Sequence, residues 1–141
     1  MPIRPFEDVD EAAVVALWSR CGLLRPWNDP HQDIARKRRV QRELFLVCEV
    51  DDQLVASVMA GYDGHRGWIN YLAVDPLFRR RGLGRLLMEE VQQRLQSLGC
   101  SKINLQIRRE NVEAVAFYER IGFSEDAVLS FGKRLERDES Q

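Results

Sequence analysis

The strongest chemical signal in this chain is the run Arg79-Arg80-Arg81-Gly82-Leu83-Gly84-Arg85. It follows an apolar stretch, Trp68 to Val74, and a turn at Asp75-Pro76. It opens a segment in which Leu83, Leu86, Leu87, Val91, Leu95 and Leu98 recur at helical spacing. A strand therefore leads through a basic, glycine-bearing turn into the first turn of a helix. The first amides of a helix have no internal acceptors and carry the positive end of its dipole, so they bind anions. Gly82 and Gly84 let the backbone come close to a ligand, and Arg79, Arg80, Arg81 and Arg85 add charge. That chemistry suits a diphosphate.

Two familiar phosphate motifs do not fit. A P-loop requires Lys and then Ser or Thr after its second glycine, and neither follows Gly84. A dinucleotide fingerprint requires a third glycine where this chain has Leu87, whose bulk prevents close approach of helix and strand. A second segment narrows the choice: Asn111-Val112-Glu113-Ala114-Val115-Ala116-Phe117-Tyr118-Glu119-Arg120-Ile121-Gly122-Phe123. Asn111 reads as a helix N-cap and Gly122 as the residue just past the helix end. Asn111 and Tyr118 are about two turns apart, on one face. A buried tyrosine hydroxyl needs a polar partner, whereas Phe117 needs only a core.

Both segments, in this order and with one strand (Lys102 to Ile107) between them, resemble the GNAT superfamily of N-acetyltransferases. The first matches that superfamily's Arg/Gln-x-x-Gly-x-Gly/Ala pattern after a Val-x-Pro turn, and the second its closing helix. The stretches Leu24-Arg25-Pro26-Trp27-Asn28-Asp29-Pro30 and Gly61-Tyr62-Asp63-Gly64-His65-Arg66-Gly67 resemble the YpeA-type branch. The resemblance covers essentially the whole chain. It implies a single domain over residues 1–141 with an α/β fold, a central mixed sheet flanked by about four helices, whose strands splay at an acetyl-CoA site.

The resemblance also assigns roles. The backbone of Leu72 and Val74 would pair with the pantetheine arm. The amides of Arg80, Arg81, Gly82, Leu83, Gly84 and Arg85, beside Arg79, would hold the diphosphate. Asn111 would help place the arm, and backbone N–H groups would polarise the acetyl carbonyl. Tyr118 would protonate the departing thiolate, since free tyrosine has a pKa of about 10. Direct attack by a primary amine, of a small molecule or of a protein N-terminus or lysine, suits a chain with no cysteine in the motif region. Many relatives carry a glutamate on the strand before the phosphate loop, but Trp68-Ile69-Asn70-Tyr71-Leu72-Ala73-Val74 has none. Glu49, Asp63 and His65 are the candidate bases, and Trp27, Asn28, Tyr62 and Tyr71 the candidate acceptor contacts. The missing strand carboxylate leaves a second reading open, a non-catalytic acyl-CoA-binding sensor or regulatory module. Homodimers are common in the superfamily.

The remaining elements must position these groups. Ile3 begins a short extended start, and Asp8 with Glu11 predicts a capping box before the stripe Val14, Leu17, Trp18, Cys21. Asp29-Pro30-His31-Gln32 starts a second helix made basic by Arg36, Lys37, Arg38, Arg39 and Arg42, either a solvated face or a surface attracting an acidic substrate or the cofactor's phosphates. Leu44 to Val50 and Leu54 to Tyr62 read as strands of a hairpin turning at Asp51-Asp52-Gln53. A final strand pair is expected within Phe123 to Leu135, followed by a fraying polar end from Glu136 to Gln141.

Composition excludes other classes. A net charge of −1 argues against bulk attraction to nucleic acid or anionic membrane. Cys21, Cys48 and Cys100 are odd in number, with no CxxC spacing, and His31 and His65 stand apart, so neither a disulfide framework nor a metal centre is expected. The early acidic residues Glu7 and Asp8 do not suit a signal peptide, and no apolar run reaches the roughly 18–20 residues that span a bilayer. A cytoplasmic location is the expectation.

Overall fold

The structure, a computed structural model, describes residues 3–138. The chain divides into two compact units, one of residues up to Leu105 together with Asp138, the other Gln106–Arg137. In the larger unit, β1 (Ile3–Pro5) precedes α1 (Glu11–Arg20), α2 (Pro30–Arg38), β2 (Phe45–Val50), β3 (Gln53–Tyr62) and β4 (Gly67–Val74). Then come α3 (Leu83–Ser97) and β5 (Ile103–Leu105). The sheet order is β1-β2-β3-β4-β5, antiparallel up to β4, with β5 parallel to β4. The β2–β3 hairpin turns at Asp51 and Asp52, whose φ values of 51° and 64° are those of the tight turn that matches strand twist.

Strand alternation divides the core into layers. Phe45, Val47 and Met59 pack with Val14, Leu17 and Trp18 of α1 and Ile34 of α2. The Phe6 and Phe45 rings stack at 4.4 Å. Leu46 and Val58, which pair across β2 and β3, alternate to the other face. That face is covered by α3, which buries Leu83, Leu87, Met88, Val91 and Leu95. No helix among the described residues is long and apolar enough to cross a membrane.

In the smaller unit α4 (Val112–Arg120) is the regular element. The expected strand pair within Phe123 to Leu135 is overturned: among the described residues that stretch holds no strand. Val128, Leu129, Phe131 and Leu135 are exposed there. Strand preference is realised through packing on a neighbouring strand, and this run has no ladder to supply it.

The cap of the first helix also differs from expectation. Asp8 opens a single 3-10 turn, Asp8–Asp10, and it is the Asp10 carboxylate that accepts from the Glu7 amide, at 2.8 Å. Arg4 on β1 sets this register by holding both Asp10 oxygens, at 2.8 and 3.0 Å. Glu11 turns instead to His31 and Arg38. Hydrogen bonding from Arg4 keeps the Asp10 carboxyl below its ordinary value of 3.8. A depressed carboxyl stabilises the fold above its unfolded value and loses that contribution as pH falls through the folded one. Asp10→Asn should therefore cost about 1–2 kcal/mol at pH 7, a figure discounted for the partial exposure of Arg4. In urea unfolding, the gap between wild type and variant should close as pH drops below 3.8.

Candidate active site

The β4 strand carries a bulge. Its register with β3 steps from Ser57 opposite Ala73 to Met59 opposite Asn70, so Tyr71 and Leu72 together face Val58. Tyr71 absorbs the extra residue with φ of 54°, a left-handed conformation that costs a bulky side chain about 1–3 kcal/mol. Three contacts offset that cost. The Tyr71 ring stacks on Trp18 with centroids 3.7 Å apart. Its hydroxyl donates to Asp33 Oδ2 at 2.6 Å. Ser57 Oγ donates to the Tyr71 carbonyl at 3.2 Å while accepting from Trp18 Nε1 at 2.9 Å. Burial, then the bond to Asp33, raises the Tyr71 phenol above its ordinary value.

At the bulge β4 also loses its outer neighbour. The parallel pairing with β5 runs Gly67 to Ile103, Trp68 to Asn104 and Ile69 to Leu105, and stops. From Asn70 to Val74, β4 continues beside β3 with no β5 partner. Leu72 and Val74 lie on this open edge, which presents backbone donors and acceptors to an extended ligand.

The open edge leads straight into the basic turn. Asp75 is buried, accepts from the Leu77 amide at 2.9 Å and is bridged by Arg20 at 2.8 Å. Arg79 Nε folds back to the Val74 carbonyl at 3.0 Å, and the Arg81 guanidinium lies 4.9 Å over the Phe78 ring. Arg80 and Gly82 adopt positive φ, 66° and 80°, which turns the chain into α3. Leu83 is buried and anchors the helix start, and the first helical bond runs from the Leu86 amide to the Gly82 carbonyl at 3.0 Å. The amides of Leu83, Gly84 and Arg85 therefore lie ahead of the helical ladder, free to meet an anion. Arg79, Arg80, Arg81 and Arg85 are all exposed around them.

The loop between α1 and α2 bounds a cleft of about 450 Å³ lined by Leu24, Arg25, Pro26, Asn28, Asp29, Pro30 and His31. Asn28 thus faces the cleft, whereas Trp27 is exposed and not part of its lining. Arg25 braces the loop through the carbonyls of Gly22, at 2.9 Å, and Leu24, at 3.0 Å. As read from sequence, Asp29 caps α2 by accepting from the His31 amide, with Pro30 in the first turn.

The candidate bases fall into two places. Asp63 and His65 share one exposed turn, where the Asp63 carboxylate accepts from the amides of His65 (2.8 Å) and Arg66 (2.7 Å). Those bonds hold the Asp63 carboxyl below its ordinary value. Tyr62 borders the same turn, its hydroxyl donating to the carbonyls of Gly64 and Gly99, each at 3.3 Å. Glu49 lies on β2 and is bridged by Arg4 at 3.0 Å. In the smaller unit, Asn111 caps α4 by accepting from the Ala114 amide at 3.1 Å. Tyr118 is buried and meets the rings of Phe117 and Phe123 edge-on, at 5.1 and 5.5 Å. Burial alone raises its phenol above the ordinary value.

Sequence reasoning missed several residues around the bulge. Lys37 is not on a solvated face: it is buried, donates to the Ala60 carbonyl, and is pushed below its ordinary pKa by burial. Its spacing three residues after buried Ile34 was the available signal. The basic run around it is neutralised locally, with Arg38 bridging Asp8 and Glu11 and Arg42 bridging Asp8. Asp138, expected to fray, is buried, and it accepts from Arg36 at 2.6 Å and from the Asp29 amide at 2.9 Å. No group of His, Cys, Asp and Glu among the described residues could hold a metal.

Comparison with known proteins agrees with the fold. Ard1 from Thermoplasma volcanium superposes with a TM-score of 0.76 at 26% identity, over 89% of this chain and 84% of that one. The ribosomal-protein-S18-alanine N-acetyltransferase from Escherichia coli gives 0.74 at 24% identity, over 89% and 78%. AAC(6')-Iy, in complex with the bisubstrate analogue CoA-S-monomethyl-acetylneamine, gives 0.75 at 18% identity, over 94% and 97%. Residues 12–123 match the acetyltransferase (GNAT) family, a span that takes in the bulged strand, the basic turn and the Asn111 helix. The chain belongs to the GNAT family of acetyltransferases.

Proposed function

We propose that this chain, as one domain over residues 1–141, transfers the acetyl group of acetyl-CoA to a primary amine by direct attack in a ternary complex. The observation that carries the reading is the continuity of two ligand-binding features. The β4 edge opens after Ile69 and runs directly into the loop whose Leu83, Gly84 and Arg85 amides lie ahead of the α3 ladder. An extended arm ending in a diphosphate fits that sequence of groups. Backbone groups of Leu72 and Val74 pair with the arm, and the amides from Arg80 to Arg85 hold the diphosphate with Arg79 beside them. Asn111 assists the arm, and Tyr118 returns a proton to the thiolate. Asn28 meets the acceptor at the cleft it lines, and Trp27, Tyr62 and Tyr71, which lie outside that lining, are the further acceptor contacts. Because Asp63 and Glu49 are already engaged by amides and by Arg4, a base role for either, or for His65, runs through water.

Thiol release tests the reading. Purified protein is given acetyl-CoA with a peptide bearing a free N-terminus, a lysine peptide with a blocked N-terminus, or a set of small primary amines. Saturable release with one of these classes is the expected result, and it names the acceptor class. Tight acetyl-CoA binding with no release above the acceptor-free rate would instead identify a non-catalytic acyl-CoA binder.

A further inference from the structure

A chain of polar contacts links the end of the larger unit to the strained residue of β4. Asp138, whose side chain is 2% exposed, accepts from Arg36 at 2.6 Å and from the Asp29 amide at 2.9 Å. The same Arg36 guanidinium donates to Asp33 Oδ1 at 3.2 Å. The other Asp33 oxygen, Oδ2, accepts from the Tyr71 hydroxyl at 2.6 Å. Tyr71 is the residue whose left-handed φ makes the β4 bulge. One end of these contacts, Asp138, is 102 positions from Arg36, and the other, Tyr71, is 38 positions from Asp33.

The geometry has a direction. Asp33 alone would be a flexible acceptor on a helix surface. Held by Arg36, it becomes a fixed point for the Tyr71 phenol. Arg36 is fixed in turn because a buried carboxylate grips it from the far side, and charge-assisted bonds of this length are the strong ones. The Asp29 amide completes the seat, so one carboxylate pins both the α2 start and the guanidinium. The Trp18 stack and the Ser57 bond hold the ring and the carbonyl of Tyr71, and neither holds its hydroxyl. The hydroxyl end is left to this relay.

We propose that Asp138 and Arg36 are positioning residues for acetyl transfer, acting through Asp33 on Tyr71 to fix the β4 bulge where its open edge meets the thioester. The inference rests on the acetyltransferase reading above. It says that the placement of the acetyl group, rather than cofactor binding as a whole, depends on a carboxylate near the other end of the chain. A displaced reacting group costs turnover far more than it costs binding.

The test compares Asp138→Ala, Asp138→Asn and Tyr71→Phe with wild type, singly and as the Asp138→Ala/Tyr71→Phe pair. Asp138→Ala should lower kcat roughly 10- to 100-fold while KM for acetyl-CoA stays within about twofold. Asp138→Asn, whose single amide oxygen can accept from Arg36 or from the Asp29 amide but cannot replace both carboxylate oxygens, should recover part of that loss. The double variant should be little worse than the poorer single one, because both act on one contact chain. A second readout needs no turnover. Calorimetry should show the preference for acetyl-CoA over CoA narrowing in Asp138→Ala, with affinity for CoA itself retained.

Wild-type turnover in Asp138→Ala, or a loss of kcat fully independent of Tyr71→Phe, would overturn the proposal. So would an equal loss of affinity for acetyl-CoA and CoA, which marks a merely structural role. A wild-type chain that neither binds acetyl-CoA nor releases thiol would bring down the acetyltransferase reading and this inference with it. Any of those three variant outcomes, with the wild-type chain active, brings down only the inference.

Discussion

Tyr118→Phe is expected to lower kcat by roughly 100- to 10,000-fold while leaving acetyl-CoA affinity within about twofold of wild type. The residue is buried on α4, with Phe117 and Phe123 set edge-on against its ring. Those ring contacts persist in phenylalanine. Burial is the one influence on its phenol, with no hydrogen bond to it from any described residue. Removing the hydroxyl therefore orphans no partner, and the fold should lose less than about 1 kcal/mol. A variant that is stable, binds cofactor and turns over slowly isolates a role in the reaction. The direction of the shift adds a pH signature. A raised phenol keeps its proton beyond the ordinary value near 10, so this group stays a donor throughout the alkaline range. The alkaline limb of kcat/KM should thus not report Tyr118 near pH 10, and steady-state thiol release from pH 6 to 10.5 checks it. Unchanged kcat in the variant would remove Tyr118 from the mechanism and pass the thiolate's proton to water.

What the sequence revealed in advance was whatever depends on neighbours in the chain. The turn at Gly82, the Asp29 and Asn111 caps and the Asp51–Asp52 hairpin are each set by a few adjacent residues. Their backbone angles and caps match the expectation for that reason. The bulge is different. Tyr71 adopts its strained angle because Trp18, Ser57 and Asp33 meet it from three other elements, and no local pattern encodes that meeting. Lys37 and Asp138 were misread for a related reason. Charge in sequence suggests solvent, but Ala60 receives the lysine, and Arg36 with the Asp29 amide receives the aspartate. The expectation of a strand pair within Phe123 to Leu135 fails in the opposite sense, since an apolar run needs a ladder partner before it becomes a strand. The basic turn at Gly82 is locally encoded and therefore legible, whereas the bulge, which meets α1, α2 and β3, is a tertiary product.

The largest stability effect should come from Trp18, where the core and the site share one side chain. Trp18→Ala is expected to cost about 3–5 kcal/mol, the range for emptying a large aromatic from a packed interior. Trp18 is fully buried, stacks on Tyr71 at 3.7 Å and on Phe45 at 6.2 Å, and donates to Ser57. Its loss leaves Ser57 Oγ with one partner fewer and withdraws the surface on which the strained Tyr71 ring lies. Trp18→Phe separates the two contributions. Phenylalanine keeps a ring for the stack but cannot donate, so its cost should fall to about 1–2 kcal/mol, with a smaller cavity term. Urea unfolding of the three proteins measures both steps. If Trp18→Phe matches wild type, the Ser57 bond contributes nothing net, and the bulge stands on the stack and the Asp33 bond. If Trp18→Phe falls as far as Trp18→Ala, the indole N–H rather than the ring holds Ser57, and through it the Tyr71 carbonyl, in place. The intermediate value is the one the geometry supports, because the ring and the N–H meet different atoms of the same bulge and each leaves the other's contact intact.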